Sequence, residues 1–124
     1  MFPDLISYLR RKMRVRRRSV LRTLCYDQVS PESVMAASHT DRSFLTLCAA
    51  SSRGGLRVGK EMISPFVPPH HVLIFPGRKF EEITHSAVAA LEHLVVEDAC
   101  GADAAMSRWS QVFFFNIDPA CIGS

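Results

Sequence analysis

Hydrophobic and polar residues follow two different periods along this chain, and each period predicts one kind of element. Over residues 79–99, apolar side chains recur every three or four positions and would cover one face of an amphipathic helix. Residues 71–75 and 109–117 are short apolar runs with β-branched and aromatic side chains, which are typical of buried strands. The second half of the chain therefore predicts two strands and one helix.

Shorter patterns predict three further elements. Residues 4–24 predict a helix with apolar residues on one side and arginines on the other. Ser30 and Pro31 predict the start of a short helix that runs to about Ser38. Residues 44–48 predict a strand that ends at a serine- and glycine-rich turn.

These elements predict the α+β class. The expected fold is a small single domain with a basic amphipathic N-terminal helix and two or three strands packed on an amphipathic helix. Residues 1–26 would form a helical arm and residues 27–124 an α+β body. The length of 124 residues suits one modest hydrophobic core.

Positive charge is concentrated at the N-terminus. Residues 1–26 hold eight Lys and Arg residues against Asp4 alone, whereas residues 27–124 hold seven cations against eleven acids. A basic segment joined to a mildly acidic body is typical of proteins that bind an anionic partner. The charge pattern therefore predicts a partner such as nucleic acid, an import receptor or an anionic membrane surface.

We expect a non-enzymatic protein whose basic helix binds RNA or DNA phosphates with little sequence preference. The residues expected to make these contacts are Arg10, Arg11, Lys12, Arg14, Arg16, Arg17, Arg18 and Arg22. The same segment fits a nuclear localisation signal, and Ser19 after three arginines is a candidate phosphorylation site. The expected location is the nucleus or the cytoplasm.

Two alternatives fit the same residues. An amphipathic, arginine-rich segment with one acid is also typical of a mitochondrial or membrane-surface targeting helix on a passenger domain. The excess of arginine over lysine also arises in an overlapping reading frame without a selected function. Nuclear or organelle accumulation of a fluorescent fusion separates the first two hypotheses.

Candidate ligand-binding motifs elsewhere are weak. Residues 54–60 have the spacing of a phosphate-binding loop up to Lys60, but Glu61 replaces the hydroxyl that binds magnesium and Pro65 stops the following helix. A flexible basic turn is therefore favoured here. Residues 65–68 form a Pro-x-x-Pro tetrad, which rigidifies a loop without requiring a partner.

Metal-ligating and catalytic residues do not cluster along the sequence. Cys48, His70, His71 and Cys100 lack the close spacing of structural zinc ligands. The pairs Glu81/His85 and His93/Glu97 would lie on the polar face of the predicted helix, where ion pairing is the simpler interpretation. We therefore expect no metal site, no cofactor and no catalytic residue.

Overall fold

The computed structural model describes residues 19–27, 34–98 and 107–117, and this part of the chain is almost entirely β structure. It contains seven strands and one short helix, α1, between the fifth and sixth strands. In chain order these are β1 Val20–Tyr26, β2 Val34–His39, β3 Leu45–Ala49, β4 Leu56–Val58, β5 Val72–Pro76, α1 Arg78–Ile83, β6 His93–Val96 and β7 Arg108–Phe115.

The strands form two antiparallel sheets. One has four strands in the order β1-β7-β3-β5, and the other has three in the order β2-β6-β4. Side chains of both sheets line one internal cavity, so the sheets face each other. The architecture is therefore two facing antiparallel sheets with a shared interior.

Strand β7 shows how the sequence places polar groups in this interior. Arg108, Ser110 and Val112 are buried, whereas Trp109 and Gln111 between them are exposed. Successive side chains of a strand point to opposite faces, so this alternation turns the first three toward the second sheet. An arginine and a serine are consequently held between the sheets.

The apolar core at one end of the sandwich is built around Phe44. This ring is fully buried, and its centroid lies 4.9 Å from that of Phe80 and 6.0 Å from that of Phe115. Phe80 belongs to α1 and Phe115 to β7. The contacts fix the loop between β2 and β3 against both elements.

The start of α1 is hydrogen-bonded to the same loop. The backbone N–H of Arg78 donates to the carbonyl oxygen of Asp41 at 2.8 Å, and that of Gly77 donates to the carbonyl oxygen of Phe44 at 3.0 Å. A Cβ atom at Gly77 would lie 2.1 Å from the carbonyl oxygen of Ser43, so only glycine permits this approach. Asp41 is thereby held at a defined position.

The predicted helix over residues 79–99 is wrong beyond its first turn and a half. The Thr84 hydroxyl donates to the carbonyl oxygen of Phe80 and accepts from the backbone N–H of Val88, which offers the backbone an alternative to helix. His85 and Ser86 then adopt positive φ angles of 50° and 63°. The chain turns here, and its later part becomes β6.

The two other predicted helices are also wrong where the structure describes them. Val20–Tyr26, at the end of the predicted helix 4–24, form β1 and pair with β7. Val34–His39, at the end of the predicted helix 30–38, form β2 and pair with β6. Residues 1–18 and 28–33 lie outside the described part. The α+β prediction, led by a basic helix and built on the 79–99 helix, is therefore corrected to a mostly β fold.

Three predicted strands are confirmed with small shifts of their ends. The predictions for residues 44–48, 71–75 and 109–117 correspond to β3, β5 and β7. In the described residues, no helix has the length and apolar character needed to cross a membrane.

Candidate metal centre and adjoining cavities

Three side chains of metal-ligating types meet at one end of the three-stranded sheet, where β2 ends and β6 begins. His39 ends β2, Asp41 follows it by two residues, and His93 begins β6. The Cα atoms of His39 and His93 are direct cross-strand partners. One donor atom from each of the three residues lies within 4.8 Å of the other two. Strand pairing therefore builds this cluster, which we call the triad.

The donor atoms of the triad point toward one another. Asp41 Oδ1 lies 3.4 Å from His39 Nε2 and 3.7 Å from His93 Nε2. The imidazole centroids are 4.4 Å apart. Asp41 and His93 are buried, whereas His39 is partly open to solvent. His39 is therefore the solvent-exposed member of the cluster.

Hydrogen bonds orient each member of the triad. The Nδ1 atoms of His39 and His93 lie 2.7 Å and 3.0 Å from the carbonyl oxygens of Ala37 and Leu91. A carbonyl oxygen can only accept, so Nδ1 is the donor in each ring, and in the neutral imidazole Nε2 then keeps its lone pair. This is the arrangement that metal-binding histidines need.

The carboxylate of Asp41 is held in the same manner. Its Oδ2 atom accepts a hydrogen bond of 2.6 Å from the hydroxyl of Thr46, which lies 2.9 Å from the hydroxyl of Ser43. Oδ1 is left facing the histidines. Two imidazoles and one carboxylate with open positions form the donor set that binds Fe(II) in non-haem oxygenases, so the residues present fit a divalent metal ion.

An internal cavity of about 80 Å³ extends from the triad into the space between the sheets. We call it the inner cavity. One water needs roughly 10–15 Å³ on this measure, so the cavity has room for a small molecule. Its lining includes the triad, Arg108, Ser110 and Tyr26 together with apolar side chains of both sheets: Leu24, Ala36, Leu56, Phe75, Val95, Val112 and Phe114.

Arg108 gives the inner cavity a positive charge. Only 4% of this residue is exposed, its Nε donates to the carbonyl oxygen of Gly54 at 2.8 Å, and its Nη1 lies 3.4 Å from the hydroxyl of Ser110. Burial lowers the pKa of the Arg108 guanidinium from its ordinary value. Among the described residues, no carboxylate forms an ion pair with Arg108. Glu97 acts on this guanidinium only at longer range, and a buried charge without a direct ion-pair partner is costly, so this site favours an anionic ligand.

Cys48 also lines the inner cavity, but it does not belong to the triad. Burial raises the pKa of its thiol, which keeps it protonated and makes it a poor metal ligand. His70 and His71, the other described members of that candidate group, lie in an exposed loop. Cys100 lies outside the described residues.

The remaining candidate motifs lie in strands, in loops and in the short helix α1. His93 and Glu97 are on a strand and just after it rather than on a helix face, and Glu97 pairs with Arg53. Glu81 accepts a hydrogen bond from the backbone N–H of Ala90 at 2.9 Å. Residues 56–58 of the candidate phosphate loop form β4, and residues 64–68 are extended without regular structure.

Most of the predicted nucleic-acid contacts fall outside the described residues. These are Arg10, Arg11, Lys12, Arg14, Arg16, Arg17 and Arg18. The described member, Arg22, lies on β1 with its guanidinium carbon 5.6 Å from the centroid of the Phe114 ring. Ser19 accepts a hydrogen bond from the backbone N–H of Asn116 at 3.1 Å.

Sequence reasoning assigned no metal site, whereas the structure groups His39, Asp41 and His93. One local signal was available: His39-Thr40-Asp41 places two ligand types two residues apart, which puts both on one side of an extended chain. Nothing in the sequence joins this pair to His93, because that contact depends on strand pairing.

The two facing sheets form a jelly-roll-like fold, and the triad is a candidate metal site within it. The sequence matches the family model of the 2OG-Fe(II) oxygenase superfamily over residues 14–117, so the chain belongs to that superfamily. None of the curated proteins is a significant match to the chain.

Several solved structures share this fold. A full-length Neurospora crassa protein, solved in complex with alpha-KG and 5-formyluracil, is 28% identical with a TM-score of 0.70, over 81% of this chain and 36% of that one. The rice dioxygenase for auxin oxidation has 24% identity and a TM-score of 0.64, over 79% of this chain and 34% of that one. The Arabidopsis thaliana dioxygenase for auxin oxidation 1, solved with 2-oxoglutarate, has 22% identity and a TM-score of 0.64, over 82% and 39%. The chain thus spans between 34% and 39% of the lengths of these three proteins.

These findings correct the predicted function. The expectation of a non-enzymatic, nucleic-acid-binding protein with a nuclear localisation signal is wrong, because the chain is a 2OG-Fe(II) oxygenase superfamily domain that carries a His-Asp-His triad. The prediction failed because it was based on the distribution of charge along the chain, which reports on long-range attraction and not on the fold.

Proposed function

We propose that this chain is the core of an oxygenase that depends on Fe(II) and 2-oxoglutarate. The observation that carries the proposal is that the triad and the buried Arg108 line one cavity between the sheets. A metal ligand set and a guanidinium without a direct carboxylate partner suit the two ends of a dicarboxylate. Membership of the superfamily supports the same assignment.

His39, Asp41 and His93 would hold the metal, with the histidines binding through Nε2 and the aspartate through Oδ1. Thr46 keeps Asp41 in that orientation through its hydrogen bond to Oδ2. When bound, Fe(II) and 2-oxoglutarate supply the chemistry that oxidises a substrate with dioxygen.

Arg108 would bind the carboxylate of 2-oxoglutarate that is remote from the metal. Guanidinium and carboxylate form paired, charge-assisted hydrogen bonds, and these strengthen where water is excluded. The apolar lining of the inner cavity, which includes Leu24, Phe75 and Val112, excludes that water. Ser110 and Tyr26 add hydroxyl groups beside the guanidinium.

The test measures 2-oxoglutarate binding to the full chain by calorimetry, with Mn(II) as an oxygen-stable substitute for Fe(II). We expect 2-oxoglutarate to bind only when the metal is present and glutarate, which lacks the 2-oxo group, to bind more weakly. Asp41→Asn should weaken metal binding, whereas Glu61→Gln, at an exposed carboxylate that does not line the inner cavity, should not. Metal-independent binding, or equal binding of glutarate, contradicts the proposal.

A further inference from the structure

A second cavity opens on the solvent side of the triad. It has a volume of about 550 Å³ and shares His39, Asp41 and Phe114 with the inner cavity. We call it the outer cavity. Its volume lies within the usual range for small-molecule sites, and Arg108 does not line it.

Three arginines surround the outer cavity. Arg22 comes from β1, Arg42 follows Asp41 in the loop after β2, and Arg78 begins α1. All three are exposed, and none forms an ion pair with a carboxylate in the described part of the chain. Asp41, the proposed metal ligand, is the one acidic residue among the described residues that line this cavity.

Two of these arginines, Arg42 and Arg78, are linked to Asp41 through the backbone. Arg42 is the residue after Asp41, and the N–H of Arg78 donates to the carbonyl oxygen of Asp41. Arg22 lies over the Phe114 ring, which restricts its guanidinium. The three arginines therefore line the same cavity as His39 and Asp41.

The co-substrate does not account for this charge. In the proposed function, one carboxylate of 2-oxoglutarate is matched by Arg108 and the other end by the metal. Both interactions belong to the inner cavity. The three arginines of the outer cavity can therefore bind a different anionic ligand, which would lie next to His39 and Asp41.

We infer that the substrate oxidised by this protein is a small organic acid. Its carboxylate binds among Arg22, Arg42 and Arg78, and its apolar part lies against Val20 and Phe114. This inference rests on the proposed oxygenase function, because it takes the triad as the place of reaction. The same arrangement discriminates against neutral analogues, which leave the guanidinium groups without a partner.

The test compares phenylacetate with its neutral amide, phenylacetamide, as ligands of the full chain loaded with Mn(II) and 2-oxoglutarate. Binding is followed by ligand-observed NMR. We expect the acid to bind at least about tenfold more tightly than the amide, which is the usual effect of one charge-assisted hydrogen bond. Equal binding of acid and amide overturns the inference, and so does displacement of phenylacetate by added 2-oxoglutarate.

The variants R42Q/R78Q and K60Q/K79Q remove the same charge from different places. Lys60 and Lys79 do not line the outer cavity. The preference for the acid should disappear in R42Q/R78Q and persist in K60Q/K79Q, and 2-oxoglutarate affinity should fall far less than phenylacetate affinity in the first variant. A preference that survives R42Q/R78Q, or is lost equally in both variants, overturns the inference.

Failure of the proposed function gives a different result. If the wild-type chain does not bind 2-oxoglutarate but still prefers phenylacetate through Arg42 and Arg78, the oxygenase proposal is wrong and the organic-acid site remains. If 2-oxoglutarate binds and the acid is not preferred, the oxygenase proposal remains and the substrate class is wrong.

Discussion

The Nε atom of Arg108 donates a hydrogen bond to the carbonyl oxygen of Gly54 over 2.8 Å. This bond joins the start of β7 to the loop between β3 and β4. The neighbouring Arg53 pairs with Glu97 just after β6, and the carbonyl oxygen of Gly55 accepts from the N–H of Val96. The guanidinium proposed to bind 2-oxoglutarate is thus positioned by three separate segments.

Substitution of Arg108 should weaken 2-oxoglutarate binding without removing the metal site. We expect Arg108→Gln to lower the affinity at least tenfold, roughly the effect of one charge-assisted contact. Arg108→Lys should retain only part of the wild-type affinity, because an ammonium group lacks the planar pair of N–H donors that a guanidinium offers to a carboxylate. Calorimetry with Mn(II) checks both variants. Unchanged 2-oxoglutarate affinity in Arg108→Gln would contradict the assignment of this residue.

The hydroxyl of Thr46 should contribute to metal affinity although it does not touch the metal. Thr46→Val keeps the shape of the buried side chain and removes the 2.6 Å hydrogen bond to Asp41 Oδ2. Loss of such a partner typically costs about 10- to 100-fold in metal affinity. Titration with Mn(II) measures the change. Thr46→Ser retains the hydroxyl and is the control, so equal weakening in both variants speaks against orientation of the carboxylate.

The pair between Arg53 and Glu97 should stabilise the fold. The Arg53 side chain is 10% exposed and that of Glu97 is 4% exposed. Glu97→Gln leaves a buried guanidinium without its counter-charge and should lower the free energy of unfolding by about 3 kcal/mol. Urea unfolding measures this. Glu61→Gln, at an exposed position, should change it by less than about 0.5 kcal/mol, and a similar loss in both variants would rule out a specific role for the pair.

Two glycines with positive φ should respond differently to alanine. A Cβ at Gly55, where φ is 121°, would lie 2.4 Å from the carbonyl oxygen of Val96, whereas a Cβ at Gly59, where φ is 73°, meets nothing within 4 Å. Gly59→Ala should therefore lower the free energy of unfolding only by the cost of a left-handed backbone, about 1–2 kcal/mol. Gly55→Ala should cost more and also weaken 2-oxoglutarate binding, since Arg108 Nε is 3.4 Å from the added atom. Equal unfolding midpoints would contradict this.

Local sequence patterns were sufficient for some strands and insufficient for others. The predictions at β3, β5 and β7 succeeded because short apolar runs, bounded by turn residues, cannot be long helices. The prediction over residues 79–99 failed because the apolar residues of this segment recur at helical spacing, although the segment includes β6. Pairing with β2 and β4 on both sides decided the conformation of His93–Val96, and no local pattern contains that information.

The sequence by itself determined the alternation that turns Arg108, Ser110 and Val112 to one face of β7, and the spacing that puts His39 and Asp41 on one side of an extended chain. Only the tertiary structure decided that His93 completes the triad and that Arg108 shares a cavity with it. These contacts join segments far apart in sequence through the β2–β6 register and the packing of two sheets. The periodicity of apolar residues describes one segment at a time, whereas strand register is a property of two paired strands.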